Sequence, residues 1–340
     1  MDNKILYVGL DYHQDSVQVC VLESTGQVVL NRSCSNEWWA VRKSIGQHQG
    51  MVRAAIEACC GAADLAEELV GQAGWSVALA HPGYVARIKQ SPDKTDFSDA
   101  RLLADLERVG YLPRVWLAPE PIRELRRLVR YRQGVARERR SLKLRVCALL
   151  REQRLKAPPG VRRWSKAWLI WLEREAALSE QGRWVMGQHL RRLAGNAQEL
   201  RLCEERLEHV TAEDPLTQRL RAFKGIGLIT ACTLRAEIGR FDRFRSGKQL
   251  SRFCGLSPAN RSSGRRVADA GLIDTCNQAL RAMIVEAAHR LARYEERWSL
   301  LAHRLRQQGK PPSLVIAAVA NRWMRWLWQQ MRQPALAAAP

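Results

Sequence analysis

Through the first 80 residues apolar positions fall in short β-branched runs or alternate with polar ones. Beyond about residue 95 they recur every three to four positions. These two periods predict strands followed by amphipathic helices. Residues 5–10 and 17–22 read as strands, and Ser24-Thr25-Gly26-Gln27 reads as the turn into a third, Val28-Val29-Leu30. Residues 37–47 carry a helical pattern, 51–57 a fourth strand, 62–72 a helix and 75–80 a fifth strand. Asp93 or Thr95 is placed to cap a further helix anchored by Leu102, Leu103 and Leu106.

Residues 120–156 differ in kind. They hold 13 Lys/Arg and four Glu, with Ile122, Leu125, Val129, Leu142, Val146 and Leu149 at helical spacing. The pattern predicts a long amphipathic helix interrupted near Gly134 and stopped by Pro158-Pro159-Gly160, with helices resuming to about residue 210. A helical hairpin or coiled-coil insertion suits this block, and dimerisation fits it as well as nucleic-acid contact does. Trp164, Trp168 and Trp171 have the spacing of a packing seam. From residue 215 a Gly-x-Gly segment precedes further helices at about 277–292, 294–308 and 312–332, and the Ala/Pro tail from Pro334 is expected to be disordered.

Charge divides the chain along the same line. Residues 1–110 hold 10 Lys/Arg against 14 Asp/Glu, a balance of −4; the remaining 230 hold 45 against 20, a balance of +25. An acidic module joined to a strongly basic remainder suits a polyanion gripped by one part and processed by the other. Nine cysteines without a Cys-x-x-Cys pair argue for reduced thiols and against a zinc framework. The strand-like run begins within four residues of Met1, so no signal peptide is expected, and no apolar stretch approaches the ~20 residues of a membrane span.

Four acids stand out in the acidic module. Asp11 ends Tyr7-Val8-Gly9-Leu10-Asp11, Glu57 ends Val52-Arg53-Ala54-Ala55-Ile56-Glu57, and Asp96 and Asp99 lie one helical turn apart in Lys94-Thr95-Asp96-Phe97-Ser98-Asp99-Ala100-Arg101. The order βββαβαβ is that of an RNase H-like fold, in which the first and fourth strands carry acids to one edge of the sheet. Clustered carboxylates raise one another's pKa unless a cation neutralises them. Mg²⁺ (or Mn²⁺) prefers such oxygens and suits phosphodiester chemistry. Asp96 and Asp99 are also acids in a first helical turn, where the dipole favours them. Asp93 competes, having the same three-residue separation from Asp96.

Two basic segments of the remainder are candidate nucleic-acid contacts. Lys224-Gly225-Ile226-Gly227 reads as the turn of a helix-hairpin-helix motif, which offers backbone N–H groups to a phosphate. Arg261-Ser262-Ser263-Gly264-Arg265-Arg266 reads as an exposed turn or short hairpin. With no His within five residues, residue types alone make Ser263 a solvated turn serine in preference to a nucleophile.

Taken together, Gly9-Leu10-Asp11, Glu57-Ala58-Cys59-Cys60-Gly61, Lys94-Thr95-Asp96-x-x-Asp99-Ala100-Arg101-x-Leu103-Ala104, Gly225-Ile226-Gly227 and Gly255-Leu256-x-Pro258…Ser263-Gly264 resemble the DEDD transposases of the insertion-sequence 110 family over roughly residues 5–295. The resemblance implies an α/β RuvC-like domain over residues 1–118, a helical coiled-coil insertion over 119–212 and a mostly helical transposase domain over 213–333, with 334–340 as tail. It implies a metal set of Asp11, Glu57, Asp96 and Asp99, with Ser263 as a nucleophile that joins covalently to a DNA end. Within that last segment the following glycine and the distance from Pro258 select Ser263 over Ser262. Lys224, Gly225, Gly227, Arg261, Arg265 and Arg266 would contact nucleic acid. The implied partners are donor and target DNA, a structured non-coding bridge RNA, and further copies of the chain as a dimer or an assembled tetramer. The implied setting is the bacterial cytoplasm, at the nucleoid. Two other readings compete: a RuvC-like junction endonuclease in which water attacks, and a non-catalytic nucleic-acid-binding protein.

Overall fold

The computed structural model describes residues 4–46, 50–89, 95–260 and 269–332. The chain forms two compact units, Met1–Glu120 and Pro121–Pro340.

In the first unit, β1 (Ile5–Tyr12), β2 (Ser16–Leu22) and β3 (Val28–Ser35) form an antiparallel meander. Next come α1 (Trp38–Ser44), β4 (Met51–Glu57), α2 (Ala62–Ala73), β5 (Ser76–Ala80), α3 (Pro82–Ile88), α4 (Asp96–Arg108) and the two-residue β6 (Arg114–Val115). The sheet order is β3-β2-β1-β4-β5-β6, with β4 parallel to both β1 and β5. Val17, Val19 and Val21 on β2 and Leu6, Val8 and Leu10 on β1 are fully buried, together with Ala54 and Ile56 of β4. Burial on this scale accounts for β-branched residues at alternate positions.

Helix α4 covers the other face, and its approach is set by small residues. A Cβ at Gly9 would overlap the Ala100 carbonyl oxygen and lie 2.6 Å from the Ala104 nitrogen. Ala100 and Ala104 are themselves fully buried. Glycine opposite two alanines lets the helix backbone rest on β1 itself.

The second unit opens with α5 (Glu120–Glu152), followed by α6 (Lys166–Arg174) and α7 (Glu180–Thr211). At 33 residues α5 is about 50 Å long. It runs through Gly134 without the predicted interruption. An interior glycine costs a helix only about 1 kcal/mol, and the buried residues Val129, Val135 and Leu142 on either side outweigh it. Helix α7 lies antiparallel to α5: Arg132 bonds Glu204 at 2.6 Å, while Val146 and Leu150 share a core with Met186. Trp168 and Trp171 of α6 are buried in that core. Trp164 precedes the helix in a left-handed conformation (φ 66°), yet its ring packs 4.6 Å from that of Trp168. The tryptophans form a packing seam.

A third core gathers α8 (Pro215–Arg221), α9 (Leu228–Ile238), α10 (Gly247–Phe253), α11 (Gln278–Tyr294), α12 (Glu296–Gln307) and α13 (Pro312–Arg332). Antiparallel strands β7 (Pro258–Asn260) and β8 (Asp269–Leu272) lie between α10 and α11. Trp323 is buried in this core, and Trp326 and Trp328 pack against it. No helix among the described residues is long and apolar enough to cross a membrane.

Candidate metal centre and nucleic-acid turn

Strand register brings the first two acids together. Leu10 pairs with Ile56 in the parallel β1–β4 ladder, so Asp11 and Glu57, one residue on, sit side by side at the carboxyl ends of adjacent strands. Paired residues of a parallel ladder project to the same face. The contact of α4 with Gly9 supplies the other two. Thr95 caps α4, its Oγ1 accepting from the Ser98 N–H at 3.2 Å while Ser98 Oγ accepts from the Thr95 N–H at 3.3 Å. That capping box fixes the first turn, which carries Asp96 and Asp99. All four carboxylates line one open cleft of about 480 Å³ in the first unit.

Two nitrogen-bearing side chains that the sequence motifs do not single out enter this cleft. His13 Nε2 lies 3.3 Å from Asp11 Oδ2 and 3.4 Å from Asp96 Oδ2. Lys89, just past the end of α3, pairs with Asp99. Burial pushes the Asp11 carboxyl above its ordinary value; His13 partly offsets this, and Asp99 and Asp96 push it further up. A half-buried carboxylate with two further acids beside it is one that a divalent cation would stabilise. The oxygen-rich donor set fits Mg²⁺ or Mn²⁺. Exposure differs within the set: the Asp96 side chain is 64% exposed and that of Asp99 is 21% exposed.

Asp93, the competing acid, lies outside the described residues, as do Ser262, Ser263, Arg261, Arg265, Arg266 and the tail from 334. Strands β7 and β8 flank the serine segment as an antiparallel pair.

Lys224, Gly225 and Gly227 form the exposed turn between α8 and α9, with Ile226 buried beneath it. Gly225 is left-handed (φ 89°), a conformation glycine supplies at no steric cost. Arg221 and, from α11, Arg290 line the same concavity. The Gly-x-Gly turn therefore opens onto three cationic side chains beside the start of α9, an arrangement suited to phosphate.

Two family profiles match the sequence. One, a DEDD transposase profile of IS110 type described as "Transposase", covers residues 8–154; the other, described as "Transposase IS116/IS110/IS902 family", covers residues 217–303. The chain belongs to the IS110 family of transposases. The first match takes in all four cleft carboxylates and the second takes in the Gly-x-Gly turn. Several known transposases are similar over most of the chain. A probable family 20 transposase of Pseudomonas aeruginosa is 29% identical over 339 residues, covering 94% of this chain and 95% of the relative. The transposase for insertion sequence element IS1111A of Coxiella burnetii is 26% identical over 294 residues, covering 86% and 79%. The transposase for insertion sequence element IS1328 of Yersinia enterocolitica is 25% identical over 339 residues, covering 95% and 96%.

Proposed function

We propose that this IS110-family member is a metal-dependent DNA recombinase whose first unit is an RNase H-like, RuvC-like domain. Asp11, Glu57, Asp96 and Asp99 would hold the divalent ions, Mg²⁺ or Mn²⁺. The observation that carries the reading is the convergence of β1, β4 and the first turn of α4 on one cleft, with a carboxylate pair from the strands and another from the helix. The sheet supports it too, with an antiparallel meander continued by parallel β4 and β5.

Bound in this cleft, divalent ions would stabilise the negative charge that builds on the oxygens of an in-line phosphoryl displacement. The chain's own groups do the positioning. Asp11 and Glu57 are fixed by a parallel ladder, and Asp96 and Asp99 by a capped helix, so the donor atoms are held by backbone structure on both sides. Ser263 is the nucleophile in this reading. Its hydroxyl loses a proton as the Oγ–phosphorus bond forms, and the deoxyribose oxygen is expelled and protonated. The phosphoserine link conserves the energy of the broken phosphodiester, so rejoining to a second DNA end needs no external energy source.

The basic remainder, with its balance of +25 over residues 111–340, would hold donor DNA, target DNA and a structured bridge RNA. Base pairing with that RNA would choose the sequences, and the protein would read duplex shape and backbone. A coiled-coil insertion over 119–212 and a transposase domain over 213–333 would assemble the chain as a dimer and then a tetramer.

The test uses cells carrying the intact element with its flanking non-coding segments. The protein is denatured and digested, and the Ser263 peptide is searched for a nucleotide adduct by mass spectrometry, with Asp11→Asn as control. An adduct lost in the control is the expected result. Cleaved DNA without an adduct on that peptide would instead establish a RuvC-like nuclease that uses water. Nucleic-acid binding with no cleavage, unchanged by Asp11→Asn, would leave only a binding protein.

A further inference from the structure

The imidazole in the cleft has a geometry that ion pairing does not require. His13 stands two residues beyond Asp11 and one past the end of β1, with its Nε2 turned back to the Asp11 carboxylate at 3.3 Å. Its backbone is fixed on both sides: the His13 N–H donates to Ser16 O at 2.9 Å, and its carbonyl accepts from Asn36 Nδ2 at 2.9 Å. The ring is thus delivered to the acids by the β1–β2 turn. The ligand atoms of Asp11, His13 and Asp96 all lie within 4.8 Å of one another. The two His13 Nε2–carboxylate distances, 3.3 and 3.4 Å, are close to the adjacent-ligand edge of about 3 Å in an octahedron with bonds near 2.1 Å.

We propose that His13 is a fifth ligand of the metal centre, binding through Nε2 between Asp11 and Asp96, and that it biases the site toward first-row transition dications over Mg²⁺. This rests on the reading of the cleft as a metal centre. Mg²⁺ gains little from exchanging water for a neutral nitrogen donor, whereas Mn²⁺ and the ions after it gain progressively more. A four-carboxylate site has no such preference built in. With His13 added, one face of the site becomes O,N,O, and the position nearest the exposed Asp96 becomes the selective one. The imidazole would bind through the lone pair of Nε2, the atom that already faces both carboxylates.

The test uses the full chain and two ions as probes. Mn²⁺ and Mg²⁺ affinities are measured by titration calorimetry on the native protein, His13→Gln and Asp11→Asn. Pulsed electron paramagnetic resonance of the Mn²⁺-loaded native protein reads directly coordinated ¹⁴N without recourse to any variant. The expected result is a ¹⁴N coupling in the native protein, lost in His13→Gln, with Mn²⁺ affinity falling about tenfold and Mg²⁺ affinity changing less than twofold. Mn²⁺ binding without ¹⁴N coupling, and with equal affinity in His13→Gln, would overturn the role of His13 while leaving a metal centre that Asp11→Asn abolishes. Failure of the native protein to bind either ion would overturn the metal reading itself, and this inference with it.

Discussion

Asp11 and Glu57 stand abreast at the carboxyl ends of two parallel strands, because Leu10 is in register with Ile56 one step before them. A one-residue slip of β4 against β1 would turn Glu57 to the opposite face of the sheet. The register is held by residues with no chemistry of their own, such as Val8 opposite Ala54 and Leu6 opposite Val52. What brings α4 to the same place is Gly9, and this leads to a first prediction.

Gly9→Ala should damage the metal centre without touching any ligand. Its Cβ would collide with the α4 backbone at Ala100 and Ala104, which cannot rotate away as a side chain can. Overpacking of this kind costs about 1–3 kcal/mol, and relief requires α4 to lift with Asp96 and Asp99 on it. We expect a lowered melting temperature for the first unit and Mn²⁺ binding weakened at least tenfold. Unchanged metal affinity in a folded Gly9→Ala protein would mean that α4 does not set the site.

Lys89 occupies the place of a cation at Asp99. Both side chains are largely shielded, so Lys89→Met removes a pair worth on the order of 1–2 kcal/mol. The metal-free protein should melt earlier, and Mn²⁺ should bind some five- to thirtyfold more tightly because no internal cation competes for Asp99. Scanning calorimetry reads the first limb and titration calorimetry the second. Weaker Mn²⁺ binding in Lys89→Met would show that Lys89 orients Asp99 for the metal.

The Asp11 carboxyl sets a pH dependence whose sign is opposite to that of most acids. Burial raises its pKa above 3.8 in the folded state. The folded state therefore holds the proton more tightly than the unfolded one. The resulting stabilisation is full below pH 3.8 and is lost as pH rises through the folded value. At neutral pH, without metal, Asp11 is a net cost. Metal-free Asp11→Asn should melt above the native protein at pH 7, with the gap closing toward pH 4. Mn²⁺ at a hundredfold excess over its dissociation constant should add about 2.7 kcal/mol to the native protein and far less to the variant. A metal-free variant that melts below the native protein at pH 7 would contradict this account.

Much of this was legible in the sequence. The strand and helix order of the first unit, and the strand-end positions of Asp11 and Glu57, follow from apolar runs that end in a single charge. For the cap of α4 the sequence offered Asp93 or Thr95, and the bonds between Thr95 and Ser98 single out Thr95. Other features left no periodic trace. Helix α3 starts with Pro82-Gly83, which reads as a break, and β6 has only two residues. His13 and Lys89 became visible only once the chain had folded, because their partners are set by tertiary approach and not by spacing. Gly134 misleads in the other direction: local propensity points to a break, while packing along both ends of α5 keeps the helix whole.

Asp214 gives the second unit an ordinary acid limb. It caps α8 by accepting from the Thr217 N–H at 2.8 Å and receives the Arg235 guanidinium at 2.9 Å. Burial alone would raise its pKa, but the bonds from Arg235 and Thr217 prevail and hold it below 3.8. Its stabilisation is present above pH 3.8 and is lost as pH falls through the lower folded value. Asp214→Ala should cost about 2–4 kcal/mol at pH 7, from the lost cap and the half-buried Arg235 left without its carboxylate. Chemical denaturation at pH 7 and pH 3 should find the difference smaller at the lower pH. An equal loss at both would mean that packing, and not charge, sets the contribution of Asp214.

The turn at Lys224-Gly225-Ile226-Gly227 makes a prediction about nucleic acid that is independent of the metal centre. Lys224 and Arg290 face one concavity that is lined also by the turn and by the first residues of α9. Phosphate contacts of this kind carry no sequence information and release one counterion each. Lys224→Ala and Arg290→Ala should each weaken duplex DNA binding by a similar factor whatever the sequence, and should each lower the slope of log affinity against log salt by about 1. Fluorescence anisotropy of two unrelated duplexes between 50 and 200 mM salt reads both quantities. A loss confined to one duplex would assign these residues to base readout. An unchanged slope in both variants would remove the turn from the nucleic-acid surface and leave the charge of α5 as its main source.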